Sequence, residues 1–223
     1  MKIIAVTDLH EKTSLLPALS VHLQEAELVL LCGDITHFGR EKEMERIIRQ
    51  FCRYNPSVLA VTGNCDYPVT EKYLQEKGIS LHARVRMFGE YQVVGLSGSL
   101  PCPGTTPHEY SEEAYAAILE NIPLTAGRTL IMVSHQPPFN TLNDQVSPGV
   151  HVGSKSIRRF IELHHPLVCF TGHIHEGIAI DHIGETMLVN PGPARAGNYA
   201  FAELEGPDIK FLELRNLFTE KAL

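Results

Sequence analysis

The chain of 223 residues is long enough for one sizeable hydrophobic core, and two full domains are less expected. Hydrophobic residues make up 43% and charged residues 20%, an ordinary balance for a soluble globular protein. The formal net charge of −7 argues against broad binding to nucleic acid or to an anionic membrane, because both favour a basic surface. No stretch approaches the roughly 20 apolar residues that span a bilayer.

The cysteines and the N-terminus bear on the location of the protein. Five cysteines at irregular spacings, with no Cys-x-x-Cys pair, favour reduced thiols and a cytoplasmic protein over a disulfide framework. The apolar run before Asp8 is too short for a signal peptide. The oligomeric state stays open, with a homo-oligomer as one option. The twelve histidines are an excess that calls for an explanation.

Strands and helices alternate in the first third of the sequence. Short apolar runs predict buried strands at Lys2–Thr7, Leu28–Cys32 and Ser57–Val61. Helical spacing of apolar residues predicts helices at Ser14–Glu25, Glu41–Arg53 and Val69–Lys77. This alternation predicts a mostly parallel sheet with crossover helices.

The pattern changes in the rest of the chain. Strands are predicted at Val85–Phe88, Tyr91–Leu96, Thr129–Val133 and Pro166–Phe170, helices at Ser111–Leu119 and Ser154–His164, and a long loop at Gln136–Gly153. The last predicted strands are Ile178–Ile183, Thr186–Val189, Tyr199–Leu204 and Ile209–Leu214. We expect these last strands to form a second, antiparallel sheet. Two sheets with helices on their outer faces would account for residues 1–223 as a single domain.

Polar side chains follow five of the predicted strands. They are Asp8, His10, Asp34, Asn64, His135, His173 and His175. Because parallel strands collect ligands at their carboxyl ends, we expect these side chains to converge. Alternate residues of a strand share a face, so His173 and His175 would point into one space. This mixture of oxygen and imidazole ligands suits two ions of Mn²⁺, Fe, Zn²⁺, Co²⁺ or Ni²⁺ better than Ca²⁺ or Mg²⁺ alone.

The candidate ligands belong to a series of short motifs. These are Asp8-Leu9-His10, Gly33-Asp34, Gly63-Asn64-Cys65-Asp66, the segment around His135, and Gly172-His173-Ile174-His175. Over roughly Lys2 to Gly192, the series resembles that of calcineurin-like metallophosphoesterases. The resemblance implies an α/β fold, a four-layer α/β/β/α sandwich with two mixed central sheets and a dinuclear site at their rim. It implies one ion held by Asp8, His10, Asp34 and His175, and another held by Asp34, Asn64, His135 and His173, with Asp34 bridging.

Cys65 departs from the commoner pattern of that family, in which a histidine at this position assists the leaving oxygen. A small prokaryotic-type phosphodiesterase group is similar to this chain in having Gly-Asn-Cys-Asp. General acid catalysis typically contributes roughly 10²–10⁴-fold, and a thiol is a poorer proton donor than imidazolium. We therefore expect a preference for good leaving groups or slow turnover. Cys65 and Asp66 are candidate catalytic residues, although Cys65 could equally fill a gap and Asp66 could cap the next turn.

Loops above a strand-end site usually carry the contacts to substrate. His108 and Tyr110 follow a loop rich in proline and glycine, and His151 lies in the long loop before the last predicted helix. These three residues are candidate substrate-binding residues. Tyr67 and Arg195 are further candidates of the same kind.

The leading hypothesis is a metal-dependent phosphoesterase for a small phosphate-ester substrate, with a diester favoured over a monoester. Two ions about 3.5–4 Å apart would clamp the phosphoryl group, and a bridging hydroxide would attack phosphorus in line. The alternative is a weakly active or non-catalytic metal-binding interaction scaffold of the same fold, like the retromer subunit that resembles these enzymes. The replacement at Cys65 motivates this alternative. Metal-dependent hydrolysis of another bond, such as an amide, is a third option.

Overall fold

The computed structural model describes residues 1–219, which form two large β-sheets with helices on the outer face of each. The described strands are β1 (Lys2–Val6), β2 (Leu28–Cys32), β3 (Val58–Val61), β4 (Val85–Phe88), β5 (Tyr91–Leu96), β6 (Thr129–Ser134), β7 (Gln145–Ser147), β8 (Val150–His151), β9 (Val168–Thr171), β10 (Ala179–Ile183), β11 (Thr186–Asn190), β12 (Asn198–Glu205) and β13 (Asp208–Asn216). The described α-helices are α1 (Leu16–Glu25), α2 (Glu41–Tyr54), α3 (Pro68–Glu76), α4 (Glu112–Glu120) and α5 (Lys155–His164). Short 3-10 turns occur at Thr13–Leu15, Leu142–Asp144 and Ala194–Ala196.

Both large sheets mix parallel and antiparallel pairs. The first has the strand order β13-β12-β1-β2-β3, and the second has the order β10-β11-β9-β6-β5-β4. In the first sheet β1, β2 and β3 are parallel, and α1 and α2 lie in the connections between them. In the second sheet β5, β6, β9 and β11 are parallel. Each sheet therefore contains a block of parallel strands, which lies at one side of the first sheet and in the middle of the second, and the alternation of strands and helices predicts the block of the first.

The residues of β1 show why an apolar run without alternation forms a central strand. Ile3 and Ala5 are buried between the two sheets, whereas Ile4 and Val6 are buried against the helices of the first sheet. Both faces thus lose apolar surface to the core, at a gain of about 25 cal/mol for each Å² buried. A third apolar cluster joins the second sheet to α4 and α5. The predicted four-layer α/β/β/α sandwich with two mixed central sheets is confirmed.

The helices begin and end within two residues of their predicted bounds. Met44, Ile47 and Phe51 form the buried face of α2 that their spacing predicts. The hydroxyls of Ser111 and Ser154 accept hydrogen bonds at 3.2 Å from backbone N–H groups in the first turns of α4 and α5, and so cap both helices. No helix within residues 1–219 combines the length and the apolar character that a membrane span requires.

The expectation that the last four strands form one antiparallel sheet is wrong. β10 and β11 lie in the second sheet, but β12 and β13 extend the first sheet beside β1. In addition, β11 pairs parallel with β9. The burial of β12 explains its place, because Tyr199 packs with the helices of the first sheet while Ala200 and Ala202 pack between the sheets. A strand that is buried on both faces belongs inside a sheet.

The segment predicted as a long loop, Gln136–Gly153, contains regular structure, since β7 and β8 pair as an antiparallel hairpin. The buried carboxylate of Asp144 organises this segment. It accepts hydrogen bonds from the backbone N–H of Thr141 at 2.8 Å and of Gly153 at 2.9 Å, and it contacts His151 Nδ1 at 2.7 Å. Such local bonds between a side chain and the backbone leave no periodic signal in the sequence.

Candidate metal centre

The candidate ligands follow β1, β2 and β3 of the first sheet and β6 and β9 of the second. They are, in chain order, Asp8, His10, Asp34, Asn64, His135, His173 and His175. The strands that precede them are parallel within each sheet, so their carboxyl ends share an edge. The site is therefore built at strand ends, with side chains from both sheets.

One close group contains Asp8, His10 and His175, whose ligand atoms all lie within 4.8 Å of one another. His175 Nε2 is 3.2 Å from Asp8 Oδ1, and His10 Nε2 is 3.8 Å from the same oxygen. Asp34 lies beside this group, with its Oδ2 3.7 Å from His10 Nε2. These four residues are the ones that the motif series implies for one ion.

A second close group contains Asp8, Asp34 and His135. The Nδ1–H of His135 donates to the carbonyl oxygen of Cys32 at 2.9 Å, because a carbonyl can only accept. In the neutral ring this leaves the Nε2 lone pair 3.0 Å from Asn64 Oδ1 and 3.5 Å from Asp34 Oδ1. With the ring neutral and Asp34 ionised, these three atoms are all electron-pair donors, an arrangement that fits a cation.

The hydrogen bonding and the pKa of His10 show whether these residues fit a metal ion. Its side chain is 8% exposed, and neither Nδ1 nor Nε2 has a hydrogen-bond partner within the described residues. A buried polar group without a partner costs about 1–3 kcal/mol, a cost that metal binding would remove for one nitrogen. Burial lowers the pKa of His10 to about 4, so its ring is neutral and keeps a lone pair near pH 7. The donor set therefore fits a divalent ion with oxygen and imidazole ligands.

His173 lies next to the second group rather than among its closest atoms. The centroid of its ring is 5.2 Å from that of His135, and its backbone N–H donates to Asp8 Oδ2 at 3.1 Å. Burial, followed by the charge of His135, lowers the pKa of His173 to about 3, so this ring is also neutral. That His173 and Asn64 hold a metal ion stays a prediction.

The two buried carboxylates of the site have opposite pKa shifts. Burial raises the pKa of Asp34 to about 7, with His135 opposing the rise and the charge of Asp8 adding to it. Burial also acts to raise the pKa of Asp8, but the hydrogen bond from His175 and the charges of His135 and His175 hold this pKa below its usual range. A divalent cation between these carboxylates would favour the ionised form of both.

The backbone is strained at several of the candidate ligands. The φ angle is 53° at Asp8, 45° at His10, 47° at Asp34 and 67° at His173. Left-handed values are uncommon for residues with a side chain and cost about 1–3 kcal/mol each. The adjacent Gly33 has a φ of 98°, and a Cβ atom there would overlap the ring of His135. Strain that recurs at the candidate ligands is typical of a functional site.

Asp66 joins two of the loops that carry ligands. Its fully buried carboxylate accepts hydrogen bonds from Ile35 N at 3.1 Å, Thr36 N at 2.7 Å, Thr36 Oγ1 at 2.6 Å and Gly63 N at 2.8 Å. The first three donors follow Asp34, and the last precedes Asn64. These contacts favour a role in positioning both ligands over direct contact with a substrate.

The structure brings Cys65 to the candidate ligands. Its backbone N–H donates to Asp34 Oδ1 at 2.8 Å, and its Sγ lies within 4.8 Å of ligand atoms of His10 and Asp34. Burial, and then the charge of Asp34, raises the pKa of the Cys65 thiol well above its usual range. The side chain is therefore a neutral thiol, and its part in catalysis stays a prediction.

The three candidate substrate-binding residues have their side chains engaged within the protein. His108 is 4% exposed, and its ring contacts Thr62 Oγ1 at 3.2 Å and Tyr110 Oη at 3.0 Å. The backbone N–H of His108 donates to the carbonyl oxygen of Asn64 at 3.3 Å. His151 lies on the β7–β8 hairpin and is held by its contact with a buried carboxylate. Contact with substrate would require these bonds to change, so that role stays a prediction for all three.

Glu71 is a buried residue near the candidate metal centre, and none of the sequence motifs includes it. It lies on α3 and accepts hydrogen bonds from the hydroxyls of Thr62, Ser80 and Ser97. Because Thr62 also contacts the ring of His108, this network supports the residue whose backbone holds Asn64. The signal in the sequence is the position of Glu71 three residues before the buried Leu74, which places both on one helix face.

Comparison with known proteins assigns the family. Residues 1–205 match the profile of the calcineurin-like phosphoesterase superfamily domain. The chain therefore belongs to the calcineurin-like phosphoesterase superfamily, as the motif series predicts. "Uncharacterized protein MJ1162" of Methanocaldococcus jannaschii is 40% identical over 197 residues, which cover 86% of this chain and 88% of that protein.

Solved structures share the fold. One crystal structure superposes with a TM-score of 0.80 at 21% sequence identity, covering 97% of this chain and 98% of its own. The crystal structure of TT1561 of Thermus thermophilus superposes with a TM-score of 0.73 at 18% identity, with coverage of 97% and 98%. At these identities the similarity establishes the architecture, and function has to be argued from the site.

Proposed function

We propose that the protein is a metal-dependent phosphoesterase that holds two divalent ions and hydrolyses a small phosphate ester, a diester in preference to a monoester. The observation that carries the proposal is the position of His10, whose two ring nitrogens are buried without a hydrogen-bond partner in the described chain, beside Asp8 and Asp34. Membership of the calcineurin-like phosphoesterases supports a phosphate ester as the substrate class.

The two ions would share the carboxylate of Asp34. Asp8, His10, Asp34 and His175 would hold one ion, and Asp34, Asn64, His135 and His173 would hold the other. The candidate ligand atoms form three overlapping close groups, and Asp8, His10 and Asp34 each belong to two of them, which supports two neighbouring metal positions. Their donors favour Mn²⁺, Fe, Zn²⁺, Co²⁺ or Ni²⁺. When bound, such ions would supply an activated water and would neutralise charge that develops on the phosphoryl oxygens.

The side chains of this protein would orient the ligands and assist the leaving group. The hydrogen bond to Cys32 directs Nε2 of His135 toward the site, and Asp66 aligns the loops of two ligands. Cys65 is the candidate donor of a proton to the leaving oxygen. A neutral thiol with a raised pKa is a weak acid, so this role would favour substrates whose leaving groups need little protonation.

The substrate class can be tested with two activated aryl esters of phosphate, a diester and the corresponding monoester. Protein loaded with Mn²⁺ should hydrolyse both, and it should show the larger kcat/KM for the diester. A preference for the monoester would contradict the diesterase proposal. Absence of hydrolysis of both esters, with metal content confirmed by elemental analysis, would contradict the phosphoesterase proposal itself.

A weakly active or non-catalytic interaction scaffold is the second candidate function, favoured by the thiol at position 65. The variant Cys65→His separates the two functions. An enzyme should keep its metal and turn over at the same rate or faster, whereas a scaffold should hydrolyse neither ester in either form. We also propose a cytoplasmic location, which is supported by the free thiols of all five cysteines.

A further inference from the structure

Arg195 stands at the outer edge of the candidate metal centre. It lies in the 3-10 turn Ala194–Ala196, and its side chain is exposed. The backbone of this turn is anchored at the end of β1, because Ala194 N–H donates to Thr7 O at 2.8 Å and Arg195 N–H donates to Asp8 O at 3.5 Å. The guanidinium is therefore an exposed positive charge on a backbone that is fixed beside a candidate ligand.

The guanidinium contacts another candidate ligand. Arg195 Nη2 lies 3.2 Å from His175 Nδ1. An arginine has only N–H donors, so Nδ1 of His175 accepts this hydrogen bond when the ring is neutral. The hydrogen bond to Asp8 raises the pKa of His175, so the ring is neutral only above that raised pKa. The proton of the neutral ring is then on Nε2, which donates to Asp8 Oδ1 at 3.2 Å. Both ring nitrogens of His175 are thus engaged, one by a cation and the other by a carboxylate.

The hydrogen bond from Arg195 to Nδ1 of His175 is incompatible with a metal ion on Nε2 of the same ring. A ring nitrogen binds a metal through its lone pair, and the nitrogen beside Asp8 is Nε2. With Nε2 bound to a metal, the ring proton would be on Nδ1, and its N–H would face the N–H groups of Arg195. Two facing donors cannot form a hydrogen bond. Arg195 would lose its acceptor and would need another one.

We propose that Arg195 binds the phosphate group of the substrate, and that metal binding to His175 releases its side chain for this task. This inference rests on the proposed function. A phosphate offers the acceptor oxygens that the guanidinium loses, in a geometry that suits its planar fork. The formal net charge of the chain is −7, so a cation next to the site would matter for the capture of an anionic ester. The predicted order is metal first and phosphate second.

Binding of inorganic phosphate, measured by calorimetry in metal-loaded and metal-free protein, tests the proposal without requiring turnover. The variants are Arg195→Gln, which removes the charge, and Arg195→Lys, which keeps it. Arg159→Gln, at an exposed arginine of α5 away from the candidate ligands, is the matched control. In loaded protein, Arg195→Gln should weaken phosphate binding roughly tenfold or more. Arg195→Lys should recover part of this loss, and the control should bind like the wild type.

The metal-free protein tests the release of Arg195. Phosphate should bind weakly there, and equally to the wild type and to Arg195→Gln, because His175 still engages the arginine. If Arg195→Gln weakened phosphate binding as much in metal-free protein as in loaded protein, the proposed release of Arg195 by metal would be overturned. Unchanged affinity in loaded Arg195→Gln would overturn the phosphate contact.

The failure of this inference can be told apart from the failure of the proposed function. Phosphate binding that depends on Arg195, in a loaded protein that hydrolyses no ester, would leave the inference standing and contradict the enzyme. Ester hydrolysis and phosphate binding that are both unaffected by Arg195→Gln would contradict the inference alone. A wild-type protein that binds no divalent metal would overturn both.

Discussion

His175 Nε2 lies 3.2 Å from Asp8 Oδ1, although 167 positions of sequence separate the two residues. Asp8 follows β1 of the first sheet, and His175 follows β9 of the second. Their contact therefore joins the two sheets at the edge where the candidate ligands converge. A metal ion at this edge would cross-link the two halves of the sandwich, so metal binding should also stabilise the fold.

Replacing Asp8 with asparagine should weaken metal binding. The change keeps the shape of the side chain but removes a buried charge that lies within reach of His10 and His175. We expect metal affinity to fall at least about tenfold, measured by competition with a chelator. Asp208→Asn, at an exposed position of β13, is the control and should bind metal normally. Equal affinity in the two variants would contradict a ligand role for Asp8.

The two histidines of the Gly-His-x-His motif should serve different ions. His173→Ala should empty one metal position preferentially, and His175→Ala should empty the other, because the proposed ligand sets divide these residues. Elemental analysis at increasing metal concentration measures the filling of each position. Equal loss of both ions from either variant would argue against this division.

Replacing Asp66 with asparagine should destabilise the fold even without metal. An amide has one acceptor oxygen, and its NH₂ group would face backbone N–H donors such as those of Thr36 and Gly63. We expect a loss of about 2–3 kcal/mol in the free energy of unfolding, measured by urea denaturation of metal-free protein. The exposed Asp208→Asn should change it by less than about 0.5 kcal/mol. A comparably small effect of Asp66→Asn would refute its role in holding the two loops.

His82 should make the stability of the protein depend on pH. Burial lowers the pKa of His82, although Glu71 opposes this shift, and the ring accepts a hydrogen bond from Ser97 N–H at 3.0 Å. An unfolded histidine binds its proton near pH 6.5, whereas the folded one does so only at lower pH. The unfolded state therefore binds more protons below about pH 6.5, and stability is lost as the pH falls from there toward the folded pKa.

The variant His82→Asn, which keeps an acceptor near Ser97, should show a shallower loss of stability on acidification. Urea unfolding at about pH 7.5 and about pH 5 measures the difference. His182→Asn, at an exposed histidine, should retain the slope of the wild type. Identical slopes for the wild type and His82→Asn would contradict the shift.

The convergence of the candidate ligands could be predicted from the sequence because each of them follows a short apolar run. Such runs form strands buried on both faces, as in β1, and the polar residue after each run marks the strand end. Asp8, Asp34 and His135 illustrate this relationship, and the order of the motifs adds the family. The parallel strands of the first sheet followed from the same periodicity, whereas the four-layer sandwich was implied by the resemblance of the motifs.

The contacts that support these ligands could not be predicted, since they join residues far apart in the chain. The hydrogen bonds of Glu71 to the hydroxyls of Thr62, Ser80 and Ser97, and the contact of Arg195 with His175, depend on tertiary packing, which a local pattern does not encode. The same reason applies to β12, whose pairing with β1 is set by burial on both faces rather than by its neighbours in sequence. The β7–β8 hairpin depends on hydrogen bonds to one carboxylate, that of Asp144.

The most direct test of the proposed function compares the wild type with Asp34→Asn. Metal content and ester hydrolysis are measured on the same preparation of each protein. The wild type should bind about two Mn²⁺ ions per chain and hydrolyse an activated aryl phosphodiester. Asp34→Asn, which alters the shared ligand, should lose metal and at least about a hundredfold in kcat/KM. A wild type that binds both ions and hydrolyses no phosphate ester, or an Asp34→Asn variant with unchanged metal content and activity, would contradict it.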